Sequence, residues 1–282
     1  MKKGRWLIYV AVFAMVVAAC SSGATGGGEG TSCTKGDLRL VTPGALTIGT
    51  DDPAFPPWFE DNDPSNGKGF ESAVAYAVAG ELGFSPDEVT WVIVPFNNSY
   101  QPGKKSFDFD INQISITPER AQVVDFSDGY YNVNQALVAF DTSPAASAKA
   151  MADVKKLKLG AQIGTTSLQY IENIIKPETQ PLVYDTNNDA KLAMEAGQID
   201  GIVVDLPTAF YISAVEIEGS SVVGQFPSVG DNPEQFGMLF EKDNPLRACV
   251  NEALQRLKDN GKLAGIEKQW LSDATGAPVI SP

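Results

Sequence analysis

The side chains able to do chemistry in this sequence are carboxylates, guanidinium and ammonium groups, hydroxyls and aromatic rings; histidine is absent. Without imidazole, Ser-His-Asp and Cys-His catalysis, histidine-ligated zinc and a histidine general base are excluded. Three residues stand out by position. Thr117-Pro118-Glu119 reads as a helix start, with a capping hydroxyl, proline at the first helical position and an acid in the first turn. Arg120 then falls beside free backbone N–H groups, where a planar guanidinium suits a bidentate grip on an anion. Gly164-Thr165-Thr166-Ser167 reads as a turn that opens a second helix, with the Thr166 hydroxyl at its start. Asp205 ends a near-continuous apolar strand, the place where ligands of open α/β sheets sit. Each residue has a plainer reading: Arg120 as an exposed helix residue with a salt bridge, Thr166 as a cap, Asp205 as a turn residue before Leu206-Pro207.

Those residues need a frame, and the pattern around them supplies one. A strand over 46–50 runs into Asp51-Asp52-Pro53. Phe70, Val74, Val78 and Leu82 then recur four apart, an amphipathic helix ended by Gly83. Strands follow over 89–94, 108–116 and 135–140, and a small-residue stretch over 143–152 marks a boundary. Beyond it come strands over 157–163, 181–184, 199–204 and 236–240, with helices between them. Leu246, Val250, Ala253, Leu254 and Leu257 share one face of a late helix, and a last helix carries Ile266 and Trp270. Strands separated by helices predict parallel sheets and the α/β class, and 282 residues predict two domains. The net charge of −14 argues against a grip on nucleic acid or anionic lipid through a basic face.

The amino terminus reads as an address. A basic start, Lys2-Lys3-Gly4-Arg5, precedes an apolar run over 6–19, shorter than the ~20 residues a membrane span needs and suited to a signal peptide. Val17-Ala18-Ala19-Cys20-Ser21-Ser22-Gly23 resembles the lipobox of a bacterial lipoprotein, which implies removal of 1–19 and lipidation of Cys20. Residues 20–33 form a Gly- and Ser-rich tether. An extracytoplasmic address leaves Cys33 and Cys249 as a candidate disulfide; the alternative is a loose Cys33 and a buried free Cys249.

Several stretches, in order along the chain, are similar to the polar amino-acid-binding proteins of bacterial ABC importers, solute-binding protein family 3. They are Ile48-Gly49-Thr50-Asp51 with Phe55-Pro56-Pro57, Gly67-Lys68-Gly69-Phe70, and Ser115-Ile116-Thr117-Pro118-Glu119-Arg120-Ala121. Val124-Asp125-Phe126-Ser127-Asp128-Gly129-Tyr130-Tyr131, Gly164-Thr165-Thr166, and Gly197-Gln198-Ile199-Asp200 leading to Asp205 complete the set. The resemblance implies a two-lobed periplasmic-binding-protein-like fold of type II, with crossings near 136–140 and 237–240. Lobe one is then 34–138 plus 240–282, and lobe two 139–239. It implies a monomer that needs no cofactor or metal, and that delivers a polar amino acid to an ABC permease. Membrane contact is through the lipid anchor alone. Arg120, Ser115 and Thr166 would take the ligand carboxylate, Asp205 the ammonium, with Asp51, Phe55 and Phe96 lining the cleft.

Two departures bear on the ligand. Asn112-Gln113-Ile114 stands where many relatives carry very small residues, so the Asn112 and Gln113 amides are placed to reach the ligand, and Tyr100-Gln101-Pro102-Gly103 interrupts an apolar helix. Asp51 favours a basic ligand and the amides a neutral polar one. An enzyme on the same fold, of the cyclohexadienyl-dehydratase kind, is the rival reading, and the pairing of Asp205 with Arg120 favours the receptor. No membrane segment follows Pro282, so a fused sensor is not expected.

Overall fold

The computed structural model describes Met1 and residues 32–230, 233–272 and 276–282. Cys20 and the body of the expected signal peptide lie outside the described residues.

The chain builds one sheet, crosses, builds a second and returns. The strand β1 (Leu46–Thr50) is buried along its whole length. Helix α1 (Phe70–Glu81) packs its predicted stripe inward, with Phe70, Val74 and Val78 fully buried. Then β2 (Val89–Ile93) pairs parallel with β1, a single turn α2 (Phe96–Ser99) follows, and β3 (Phe109–Asp110) pairs with the other side of β1. After β4 (Asp125–Phe126), the short strand β5 (Tyr131–Val133) leads across.

The second sheet starts with β6 (Gln135–Phe140), α3 (Met151–Val154), β7 (Leu159–Gln162) and α4 (Thr166–Tyr170). It continues through β8 (Leu182–Tyr184), α5 (Asn187–Glu195), β9 (Gly201–Asp205), α6 (Leu206–Tyr211) and β10 (Ser220–Gln225). Return is by β11 (Glu234–Phe236), antiparallel to β5, into β12 (Leu239–Phe240), α7 (Leu246–Asp259) and α8 (Lys262–Leu271). The strand orders are β2-β1-β3-β12-β4 and β10-β6-β9-β7-β8.

The apolar runs of the second sheet follow from burial on both faces. Along β6, Leu137 and Ala139 face a core with Phe226, while Ala136 and Val138 face another with Ile202 and Ile212.

Four expectations change. The crossings are the β5–β11 pair, because 135–140 hydrogen-bonds wholly within the second sheet and 239–240 within the first. The strand expected over 108–116 is cut to Phe109–Asp110, since Gln113 turns the chain with φ at 47°. The Thr117 Oγ1 accepts the Arg120 N–H at 3.2 Å, but the helix is only one 3-10 turn, Arg120–Gln122, with Glu119 at its cap position. Val124 and Phe126 must reach the core beside Leu239, and β4 must pair with β12, so the chain unwinds at once. Finally, the tail expected with lobe one packs on the second sheet. Ile280 is 2% exposed in that core, and Gln225 donates to the Pro278 carbonyl and accepts from the Ile280 N–H at 2.8 and 2.9 Å.

A disulfide joins Cys33 to Cys249, whose Cα atoms are 5.2 Å apart, and fastens the start of the folded region to buried positions of α7.

Candidate functional site

Arg120 reaches its place because the 3-10 turn projects it from the first lobe towards the second. Its guanidinium is buried, 6% of the residue being exposed. Nη1 donates to the Ser115 carbonyl at 2.8 Å, and Nη2 donates across the cleft to the Gly164 carbonyl at 2.9 Å. Its Cζ lies 4.8 Å from the centre of the Tyr100 ring and 5.4 Å from that of Phe96. Tyr100, at the departure from the apolar helix, is therefore a cation-stacking residue. Among the described residues Arg120 forms no ion pair, which removes the plain salt-bridge reading.

Asp205 is delivered by β9, whose register sets it directly opposite Gln135 of β6. The Gln135 Nε2 donates to Asp205 Oδ1 at 2.8 Å and to Glu234 Oε2 at 3.1 Å. Ser167 Oγ donates to Gln135 Oε1 at 2.6 Å, which fixes the amide orientation. Burial first, and then the Glu234 charge, hold the Asp205 carboxyl well above the usual carboxylate range. Glu234 also accepts from the Ser115 hydroxyl at 2.6 Å, and the Ser115 and Thr166 hydroxyl oxygens are 3.3 Å apart. Five lengths of chain thus meet here: Ser115 of the first lobe, Gln135 of β6, Asp205 of β9, Thr166 at the start of α4, and Glu234 on a crossing strand.

Thr166 is the first residue of α4, and the cap is Thr165, whose hydroxyl accepts from the Leu168 N–H at 3.1 Å. The Thr166 side chain is thereby left to the cleft. Asp51 Oδ1 accepts the N–H of Asp52 at 2.8 Å and Oδ2 that of Phe96 at 3.1 Å, so it pins the loop that carries Phe96. Burial still raises its carboxyl, with those two N–H groups opposing. The Phe55 ring lies 5.1 Å from the Lys191 ammonium, which is itself 2.8 Å from Glu216. Asp51, Phe55, Phe96, Gln113, Thr166 and Asp205 all line one cavity of about 60 Å³ between the lobes. Asn112 lines it too, and its Nδ2 has no acceptor among the described residues. Ser115 and Arg120 lie beside that cavity rather than on its wall. Small-molecule sites ordinarily offer ~300 Å³ or more, so entry of a ligand requires the lobes to part. Trp58 is fully buried, and its Nε1 donates to the Thr208 hydroxyl of α6 at 2.9 Å.

Sequence reasoning missed Glu71, Gln135 and Glu234. Glu71 sits on the buried face of α1, accepting from the Gln113 N–H at 2.7 Å, from the Gln113 side-chain amide and from the Tyr130 hydroxyl. Burial pushes its carboxyl up to about 7. An acid beside Phe70 on an otherwise apolar stripe was the available signal. Behind Gln113, Asp110 is fully buried with neither oxygen hydrogen-bonded among the described residues, and burial raises it well above the usual range. A Cβ on Gly49 would stand 2.5 Å from that carboxylate, so this glycine makes its room.

Residues 46–273 match the family model of bacterial extracellular solute-binding proteins, family 3. The chain is 26% identical over 277 residues to the arginine-binding extracellular protein ArtP of Bacillus subtilis, covering 96% of this chain and 99% of that one. It is 30% identical over 239 residues to the arginine-binding periplasmic protein of Mannheimia haemolytica, covering 82% and 94%. Among solved structures, an ancestral arginine-binding protein bound to arginine matches with TM-score 0.66 at 29% identity, covering 80% and 98%. An ancestral arginine-binding protein bound to glutamine matches with TM-score 0.66 at 28% identity, covering 81% and 98%.

Proposed function

Because this chain belongs to the bacterial extracellular solute-binding proteins, family 3, we propose that it captures a polar amino acid between its lobes and delivers it to an ABC permease. It binds and releases; it does not transform its ligand. The observation that carries this reading is a pair of complementary deficits. Arg120 is a buried guanidinium with no carboxylate bonded to it, and Asp205 and Glu234 are carboxylates with no cation bonded to them, among the described residues. A zwitterion satisfies both, since buried charges are stable only when paired. Arg120 and Thr166 take the ligand carboxylate, and Asp205 takes its ammonium. Phe55, Phe96, Asp51 and Gln113 surround the side chain.

The ligand is basic in preference to neutral polar. Asp51 and Asp205 line the cavity, Glu234 meets Asp205 at the Gln135 amide, and the relatives named above are arginine-binding proteins. Glutamine is the second reading, favoured by Asn112 and Gln113 at the cavity. In the cell the protein acts as a monomer, held at the outer face of the membrane through lipid on Cys20. Lobe one comprises 34–133 and 237–272, and lobe two 135–226 with the tail 276–282.

Calorimetry on the full chain with L-arginine, L-lysine, L-glutamine and L-glutamate tests the ligand. Arginine or lysine is expected to bind tightest and glutamate weakest. Glutamate binding tightest overturns the assignment of the side-chain subsite, and binding of none of the four overturns the amino-acid reading itself. Release of a Cys20→Ala variant from membranes tests the anchor.

A further inference from the structure

The Ser115 hydroxyl has one proton, and its short bond to Glu234 uses it. Ser115 Oγ donates to Glu234 Oε1 at 2.6 Å. A hydroxyl so committed turns lone pairs, not a proton, towards the remaining space. It therefore repels a carboxylate and welcomes an N–H donor. The other oxygen of Glu234 accepts from Gln135 Nε2, the same nitrogen that donates to Asp205. Two carboxylates thus converge on one amide nitrogen, and no ammonium or guanidinium of the described residues is bonded to either.

We propose that Glu234 is a positioning residue for the ligand's ammonium. It acts with Asp205 through the shared Gln135 amide, and it turns Ser115 into an acceptor of the ammonium instead of a donor to the carboxylate. The inference rests on the amino-acid reading above, in which carboxylate recognition falls to Arg120 and to Thr166 at the start of α4. The fold explains how a crossing strand comes to do this. Glu234 pairs in register with Val133, two residues before Gln135, and Ser115 bridges to Phe236 two residues after Glu234. Side chains two apart on a strand share a face, so β11 aims Glu234 at both partners at once. The like charge of Glu234 beside Asp205 is relieved by a cation placed between them.

The test separates the ammonium from the rest of the ligand. Affinities of the wild type and of Glu234→Gln are measured by calorimetry for L-arginine and for 5-guanidinopentanoate, which is arginine without its ammonium. If the wild type binds lysine or glutamine instead, the deaminated counterparts are 6-aminohexanoate and 4-carbamoylbutanoate. Glu234→Gln is expected to weaken the amino acid by about tenfold or more and to leave the deaminated compound within about twofold, as for loss of a charged hydrogen-bonding partner. Equal weakening of both ligands makes Glu234 a structural residue and overturns the proposal. Tighter binding of the amino acid overturns it too, because Glu234 is then a competitor of the ligand carboxylate. If Glu234→Gln does not fold, Glu234→Asp retracts the carboxylate and is expected to show the same selective loss. A wild type that binds no amino acid overturns the underlying reading, a result distinct from the others.

Discussion

Arg120 and Gly164 are bonded across the cleft: the guanidinium Nη2 donates to the glycine carbonyl at 2.9 Å, tying the Ser-Ile-Thr-Pro-Glu-Arg segment to the turn before α4. The side chain most suited to a ligand carboxylate is thus also a contact that holds the two lobes together. Gly164 permits it through its shape. Its φ is +76°, and a Cβ there would stand 2.3 Å from the Tyr100 hydroxyl and 2.5 Å from Asn97 Oδ1 of the opposite lobe.

Gly164→Ala is therefore expected to impede closure. The left-handed backbone costs an alanine about 1 kcal/mol in any state of the cleft. The clash with Tyr100 and Asn97 arises only when the lobes meet. Ligand affinity should fall by about tenfold or more while the thermal midpoint falls by only a few degrees. Small-angle scattering should show less compaction on ligand addition than in the wild type. Unchanged affinity would show that Tyr100 and Asn97 yield easily.

Arg120 and Asp205 should both be indispensable to binding, and for different reasons. Arg120→Lys keeps the charge but loses the planar group that donates to two carbonyls and stacks on Tyr100. Asp205→Asn keeps the shape and loses the charge. Each is expected to weaken binding by roughly 2–5 kcal/mol, as for truncation of one partner of a buried charge pair. Circular dichroism should show both variants folded. Binding within twofold of wild type in either variant removes that residue from the site.

Cys33 and Cys249 are 216 residues apart, so their bond closes nearly the whole folded region into one loop. Chain entropy places the stabilisation at up to about 5 kcal/mol for so long a loop. Denaturant unfolding of the full chain with and without reductant should show a loss of that order. Thiol titration of the denatured, unreduced protein should find neither cysteine reactive. Equal stability in the two conditions would mean that the unfolded chain gains little freedom on reduction.

What the sequence made legible, and what it hid, follows from the range over which each feature is determined. The stripe of α1 and the apolar run ending at Asp205 are local patterns, and both elements form where periodicity puts them. The helix expected after Thr117 has sound local chemistry, yet it ends after one turn because the β4–β12 pairing claims the next residues. Glu234 was invisible for the opposite reason. It lies on a three-residue strand with no periodic context, and its partners Ser115 and Gln135 are 119 and 99 residues away. Ile280 lies in a seven-residue tail, 276–282, too short to show a period, and only the edge of β10 gives it a core to enter.

Glu71 gives the folded protein a pH dependence of definite sign. Its carboxyl is pushed from 4.5 to about 7, chiefly by burial on α1, against the lowering effect of bonds from Tyr130 and Gln113. Between those two values the native state keeps the proton on Glu71 while the unfolded chain has lost it. The native state therefore binds more protons, and its stability falls as pH rises from about 4.5 through about 7, then levels off. A shift of this size corresponds to a loss of roughly 3 kcal/mol across that window. Asp110 and Asp205 are raised in the same direction, so the slope of the wild type contains their contributions as well. The difference between wild type and Glu71→Gln reports Glu71 together with its charge coupling to Asp110 and Asp205. Glutamine fills the same space and can still accept from the Tyr130 hydroxyl and the Gln113 N–H, but it cannot ionise. Denaturant unfolding at pH 5, 6, 7 and 8 should show the variant gaining on the wild type steadily up to about pH 7. Parallel curves across that range would mean that Glu71 carries its charge in the folded state at no cost, and that the Tyr130 and Gln113 bonds outweigh burial.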